Sequence, residues 1–383
     1  MLLLTISDSY IILTSRRGVI ITCPIQSLYS ERKMAMFNVT VDNIIEATAD
    51  RKPDFSNLLK VLHRETPDRP TLFEFFLNPV LEQKFSRLAE PPKTEQEYHA
   101  SHVEAFRAAG YDYVTSLASS FAFPKKDNNH GKSSISLNEG FVITDRETYN
   151  AYNWPSPEDF STDGLKRMAD YLPDGMKIII FSPDGILENV IRLIGYENLC
   201  YLLYDEPDVI SDVFEQVGSR IYRYYKTAID LDCVGGIIYN DDWGFNQQTM
   251  ISADDMRNLL FPHVDKIVKL AHSYDKPVIL HSCGQLNAVY DDIISMGIDG
   301  KHSYEDIIEP VESAYDKLHD RIAVIGGMDL DYVCRKTPAE VNDRARAMCK
   351  KTGFKAYALG TGNSVPTYVP EENYLAMTAA ALL

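Results

Sequence analysis

His281 and Cys283 stand two residues apart at the end of the apolar run Pro277-Val278-Ile279-Leu280, directly before Gly284. Imidazole nitrogen and thiolate sulfur are both zinc ligands, so the pair marks a candidate metal site. The competing reading makes Cys283 a small buried hydrophobe and His281 a hydrogen-bonded core residue. Other apolar runs also end in polar groups. Residues 234–239 run into Asn240-Asp241-Asp242-Trp243, and residues 297–302 end in His302. Glu74 lies inside the run 71–76, where a carboxylate in a doubly buried strand must find a partner. Helix capping and loop hydrogen bonding compete with a site role for Asn240, Asp241 and Asp242. Trp243 and Phe245 either line a pocket or pack.

These residues need a scaffold that gathers strand ends. Eight short apolar runs fit that need: 71–76, 111–117, 176–181, 234–239, 277–281, 297–302, 322–327 and 355–359. Between them lie stretches with helical periodicity, such as 98–109, 209–228, 254–274 and 338–351. Strands alternating with helices predict right-handed crossovers and a (β/α)8 TIM barrel, whose chemistry sits at the carboxyl ends of its strands. No GxGxxG follows the first run, which argues against a dinucleotide-binding sheet. A helical lead-in is expected over 41–62, broken near Pro53. The polar stretch 118–150 predicts a long insertion after the second strand.

Composition narrows the function classes. With 383 residues, 45% of them hydrophobic, the chain can bury a full core. A net charge of -17 repels nucleic acid and anionic membrane, so neither is an expected partner. The six cysteines are scattered without a CxxC pair, which predicts reduced thiols and a cytoplasmic location. Residues 1–33 contain apolar stretches interrupted by Asp8, Arg16 and Arg17, too short for a membrane span and in the wrong order for a signal peptide. With Met34 and Met36 downstream, they are expected to be a non-native or disordered extension. Residues 34–383 form the single barrel.

Taken in order, His281-Ser282-Cys283-Gly284, Met296-Gly297-Ile298-Asp299, Gly326-Gly327-Met328-Asp329 and Gly360-Thr361-Gly362-Asn363-Ser364-Val365-Pro366 resemble the uroporphyrinogen decarboxylase superfamily. Within it the chain is most similar to the corrinoid-dependent methyltransferase branch. The resemblance implies methyl transfer between a corrinoid carried on a partner protein and a small-molecule methyl donor or acceptor. It also implies zinc at a His-x-Cys pair and a later cysteine. His281 and Cys283 match that pattern, but Thr361 stands where the third ligand is expected. Glu74 or Asp241 is therefore the expected replacement donor. From their places at strand ends and turns, Asp241, His302 and Asn240 are expected to be catalytic, and Glu74, Asp184, Asp242, Trp243 and Asn363 to contact substrate or corrinoid. Porphyrin decarboxylation is the alternative activity, and a non-catalytic corrinoid or tetrapyrrole carrier a second alternative. The superfamily's decarboxylases carry an arginine-rich segment after the first strand and a catalytic aspartate after the second. Here those places hold Phe75-Phe76-Leu77-Asn78-Pro79 and Ser116-Leu117-Ala118-Ser119-Ser120.

Overall fold

A computed structural model of the chain describes residues 3–6, 10–15, 18–24, 38–125, 137–138 and 140–383. Three short strands come first, β1 (Leu3–Ile6), β2 (Tyr10–Ser15) and β3 (Gly18–Pro24). They pair antiparallel in a sheet of their own. Met34 and Met36 lie outside the described residues.

The main sheet has seven strands, all parallel and adjacent in chain order: β4 (Tyr113–Leu117), β5 (Lys177–Phe181), β6 (Val234–Asn240), β7 (Val278–His281), β8 (Gly300–His302), β9 (Ala323–Ile325) and β10 (Tyr357–Ala358). Ile178, Ile179 and Ile180 are buried together, as are all four residues of β7, because helices cover the outer face and packed side chains fill the inner one. Each such aliphatic side chain contributes about 1.5–3 kcal/mol by leaving water.

Seven of the eight expected strands are therefore regular. The eighth, residues 71–76, is reduced to a single parallel bridge between Leu72 and Leu359. On that side Phe73 N–H donates to the Leu359 carbonyl at 2.8 Å, and Leu359 N–H donates to Thr71 at 2.9 Å. On the β4 side, hydroxyl groups replace ladder partners. Tyr113 Oη accepts from Glu74 N–H at 2.8 Å and donates to the Glu74 carbonyl at 2.7 Å, while Thr115 Oγ1 donates to the Phe75 carbonyl at 2.8 Å. One segment bonded to both edges requires the sheet to curl round on itself.

Helices supply the crossovers and are started and stopped by local chemistry. The helical lead-in comprises Val41–Thr48, entered through a Thr40/Asn43 capping box, and Ser56–Leu62. Helix Pro338–Thr352 begins with a Thr337/Glu340 capping box and a proline in its first turn, and ends at Gly353 in the left-handed region. Asn342 then ties it to the last helix, Glu371–Leu382, through the Ala376 carbonyl at 2.8 Å. Of the expected insertion, residues 126–136 and 139 lie outside the described residues, and the described remainder ends in helix Arg146–Ala151. Among the described residues, no helix is long and apolar enough to cross a membrane.

Candidate functional site

Parallel register lines up the polar strand ends. Asn240 of β6 sits opposite His281 of β7, and His281 opposite His302 of β8. Two residues beyond the first pair, the chains still run side by side, and Cys283 N–H donates to Asp242 Oδ1 at 2.8 Å. Ligand atoms of Asp242, His281 and Cys283 consequently lie within 4.8 Å of one another. One carboxylate oxygen, one imidazole nitrogen and one sulfur make three donors of the types zinc takes.

The surroundings hold the thiol and the imidazole in their neutral forms. Burial, with the nearby Asp242 carboxylate adding to it, pushes the Cys283 thiol up to about 12. Cys283 Sγ meets Ser303 Oγ at 3.3 Å and accepts from Asn363 Nδ2 at 3.2 Å. Behind it Lys301 is fully buried, its ammonium donating to the Ser303 carbonyl and lying 4.3 Å from the centre of the Tyr304 ring. Burial lowers Lys301 to about 8. His281 is pulled down to about 4, again chiefly by burial, so it is neutral at pH 7 and able to coordinate. Its ring is flanked by Phe75 at 4.9 Å, and Phe75 stacks on Phe76, which meets Phe181 at 5.1 Å. One side of the donor group is thus an aromatic wall. A cavity of about 630 Å³ lies beside Asn363, lined also by Tyr304, Asp306, Asp329 and Gly362, and none of the three donors lines it.

The uroporphyrinogen decarboxylase family model matches residues 142–382, well over half of the chain. The chain belongs to the uroporphyrinogen decarboxylase family. Among solved structures it is similar to a methyltransferase from Methanosarcina mazei, with a TM-score of 0.67 and 15% identity over 85% of this chain and 97% of that one. At that identity the likeness bears on the fold. Xylanase B from Clostridium stercorarium F9 has a TM-score of 0.36 at 9% identity, over 57% of this chain and 83% of that one. No curated protein matches the sequence.

Within this member of the uroporphyrinogen decarboxylase family, the expected third donors are engaged elsewhere. Glu74 accepts from Thr361 N–H at 2.7 Å and from Thr361 Oγ1 at 2.6 Å, so both of its oxygens are used. Asp241 accepts from the backbone of Leu187 and Glu188 and from Tyr239 Oη, tying β6 to the start of helix Ile186–Ile194. Adjacent aspartates point to opposite sides, and Asp242 is the one that faces Cys283. His302 is fully buried behind His281, with Nδ1 to Nδ1 2.7 Å, and does not reach the mouth. Trp243 packs against Tyr239 and Phe261 in the core, and Phe245 packs against Tyr196. Asn240 ends β6 half-buried.

Asp184 holds a positive φ of 71° and pairs with Arg192 at 2.6 Å. Asn363 does reach the donor group, through Cys283. Sequence reasoning named Phe75 and Phe76 only as replacements for the arginine segment, and passed over Phe181 and Ser303. It also passed over Glu188, a half-buried acid raised to about 8 by burial and by its neighbours Asp241, Asp242 and Asp184.

Proposed function

We propose that this protein transfers a methyl group between a corrinoid carried by a partner protein and a small acceptor or donor, using zinc held by Asp242, His281 and Cys283. The fold is read as a (β/α)8 barrel closed by the segment 71–76, with this site at its mouth. The observation that carries the reading is the convergence of a carboxylate, an imidazole and a thiol on the ends of two adjacent strands. When bound, zinc would supply a Lewis acid that deprotonates a coordinated thiol or water near neutral pH.

The chain's own residues prepare that position. Cys283 N–H orients Asp242, and Asn363 donates to the Cys283 sulfur. Phe75, Phe76 and Phe181 keep water from one face of His281 and offer an apolar surface suited to a flat macrocycle. The places where the family's decarboxylases carry arginines and an aspartate present Phe75, Phe76, Ser116 and Leu117, which give an acidic tetrapyrrole no counter-charge.

The test follows the absorbance of methylcobalamin incubated with the protein and a panel of thiols and reduced folates. Acceptor-dependent demethylation by the wild type, lost in Cys283→Ala, supports the assignment. Methylcobalamin unchanged with every acceptor, or demethylated equally by Cys283→Ala, contradicts it.

A further inference from the structure

Two buried histidines stand in contact, and one backbone carbonyl decides where their protons lie. We propose that His302 is a positioning residue: anchored on the Thr361 carbonyl, it holds His281 as the Nδ1–H tautomer and leaves the His281 Nε2 lone pair free for the metal. This rests on the metal reading above and extends it to a residue with no contact to the ligand position.

The argument starts from what each atom is able to do. His302 Nε2 lies 3.2 Å from the Thr361 carbonyl oxygen, which only accepts, so Nε2 carries a hydrogen. His302 Nδ1 and His281 Nδ1 are 2.7 Å apart, a distance that requires one proton between them. If that proton were the second on His302, an imidazolium would stand fully buried with no carboxylate hydrogen-bonded to either nitrogen. The proton therefore belongs to His281, and His302 Nδ1 accepts it. A neutral imidazole protonated at Nδ1 has its lone pair on Nε2. Metal-binding histidines generally donate their other N–H to an oxygen acceptor. Here a second imidazole takes that place and passes the constraint on.

The carbonyl is itself fixed. Thr361 gives its N–H and its hydroxyl hydrogen to Glu74, and its carbonyl also accepts from Gly327 N–H at 2.9 Å. Thr361 stands where the resemblance places a third metal-binding cysteine, and its side chain is turned to Glu74 instead. Gly326, at φ 70°, leaves the space that the ring and carbonyl need. A Cβ there would sit 2.4 Å from the Thr361 oxygen and 3.0 Å from His302 Nε2. Ring flips are opposed by Phe73 against His302 at 5.0 Å and Phe75 against His281 at 4.9 Å.

The experiment reads the tautomers directly, by long-range proton–nitrogen correlation spectra of the full chain labelled with 15N-histidine. His281→Gln assigns the signals. In the metal-free protein His281 is expected to be protonated at Nδ1 and bare at Nε2, and His302 the reverse. Titrated zinc should move His281 Nε2 and leave its Nδ1 proton in place. Gln at 302 reproduces the donor and acceptor, so His302→Gln should keep zinc affinity within a few-fold, while His302→Leu weakens it about 10- to 100-fold. A His281 that is Nε2–H, or averages between tautomers, overturns the proposal whatever zinc does. Equal zinc affinity in the Gln and Leu variants also overturns it. The expected tautomers without zinc uptake support the His302 assignment and contradict the metal reading, so the two failures are told apart.

Discussion

Glu74 and Thr361 are locked together across 287 residues of sequence, with both carboxylate oxygens of the first receiving the N–H and hydroxyl of the second. Burial raises Glu74 to about 8, partly opposed by those two hydrogen bonds. The native state therefore holds a proton on Glu74 between about pH 4.5 and 8, where the unfolded chain has lost it, and in that form the acid donates to the Thr361 hydroxyl oxygen instead of accepting from it. The unfolded state binds fewer protons in that window, so this group's contribution to stability falls as pH rises and levels off above about 8. Glutamine accepts from the Thr361 N–H and donates to its hydroxyl without carrying charge. Glu74→Gln is expected to flatten the pH dependence of unfolding between pH 5 and 8 and to be the more stable protein at pH 8, by on the order of 1–4 kcal/mol. Urea titrations at both pH values check this; parallel pH slopes in the two proteins would refute it.

The Asp241–Asp242 pair separates a scaffold role from a site role. Asp241 accepts from Leu187 N–H at 3.0 Å, Glu188 N–H at 2.9 Å and Tyr239 Oη at 2.8 Å. Asp241→Ala strands three buried donors, and a loss of about 2–4 kcal/mol in unfolding free energy is expected, with zinc content unchanged. A variant of wild-type stability, or one that loses zinc while folded, would show that Asp241 has another role.

Much of this fold was legible because its strands are short apolar runs between periodic helices. The first strand was the exception. In the run 71–76, Tyr113 and Thr115 hydroxyls substitute for backbone partners, a side-chain arrangement that no local pattern announces. The site was legible in part. His281 and Cys283 were singled out by ligand type and spacing and do lie beside Asp242, whereas the sequence reading looked to Glu74 and Asp241 for a further donor. A signal for Asp242 existed in the period of a strand: Asn240 is in register with His281, so two residues further Asp242 accompanies Cys283. Glu74 and Thr361 are 287 residues apart, and only the curling of the sheet brings them together.

Gly326 tests how tightly the histidine pair is built. Alanine there combines a positive φ with a Cβ 2.4 Å from a backbone oxygen. Gly326→Ala is expected to lower stability by about 2–4 kcal/mol and to separate His302 from Thr361. Thermal unfolding followed by circular dichroism measures the first effect, and a crystal structure of the variant the second. A melting temperature equal to the wild type's would contradict the close packing described.

Uroporphyrinogen is expected not to be decarboxylated at a measurable rate. The strand ends that would meet its carboxylates carry Phe75, Phe76, Ser116 and Leu117. Chromatography of the reaction products settles the matter, and steady formation of coproporphyrinogen by the purified protein would sink the methyltransferase assignment.

The most direct measurement is the zinc content of the purified wild type and of Asp242→Asn, Cys283→Ala and Glu74→Gln, each confirmed as folded. The donor group Asp242, His281 and Cys283 predicts about one zinc per chain in the wild type and in Glu74→Gln, with loss in Asp242→Asn and Cys283→Ala. Zinc retained in Asp242→Asn and Cys283→Ala, or absent from a wild type purified without chelator and titrated with zinc, would contradict the account.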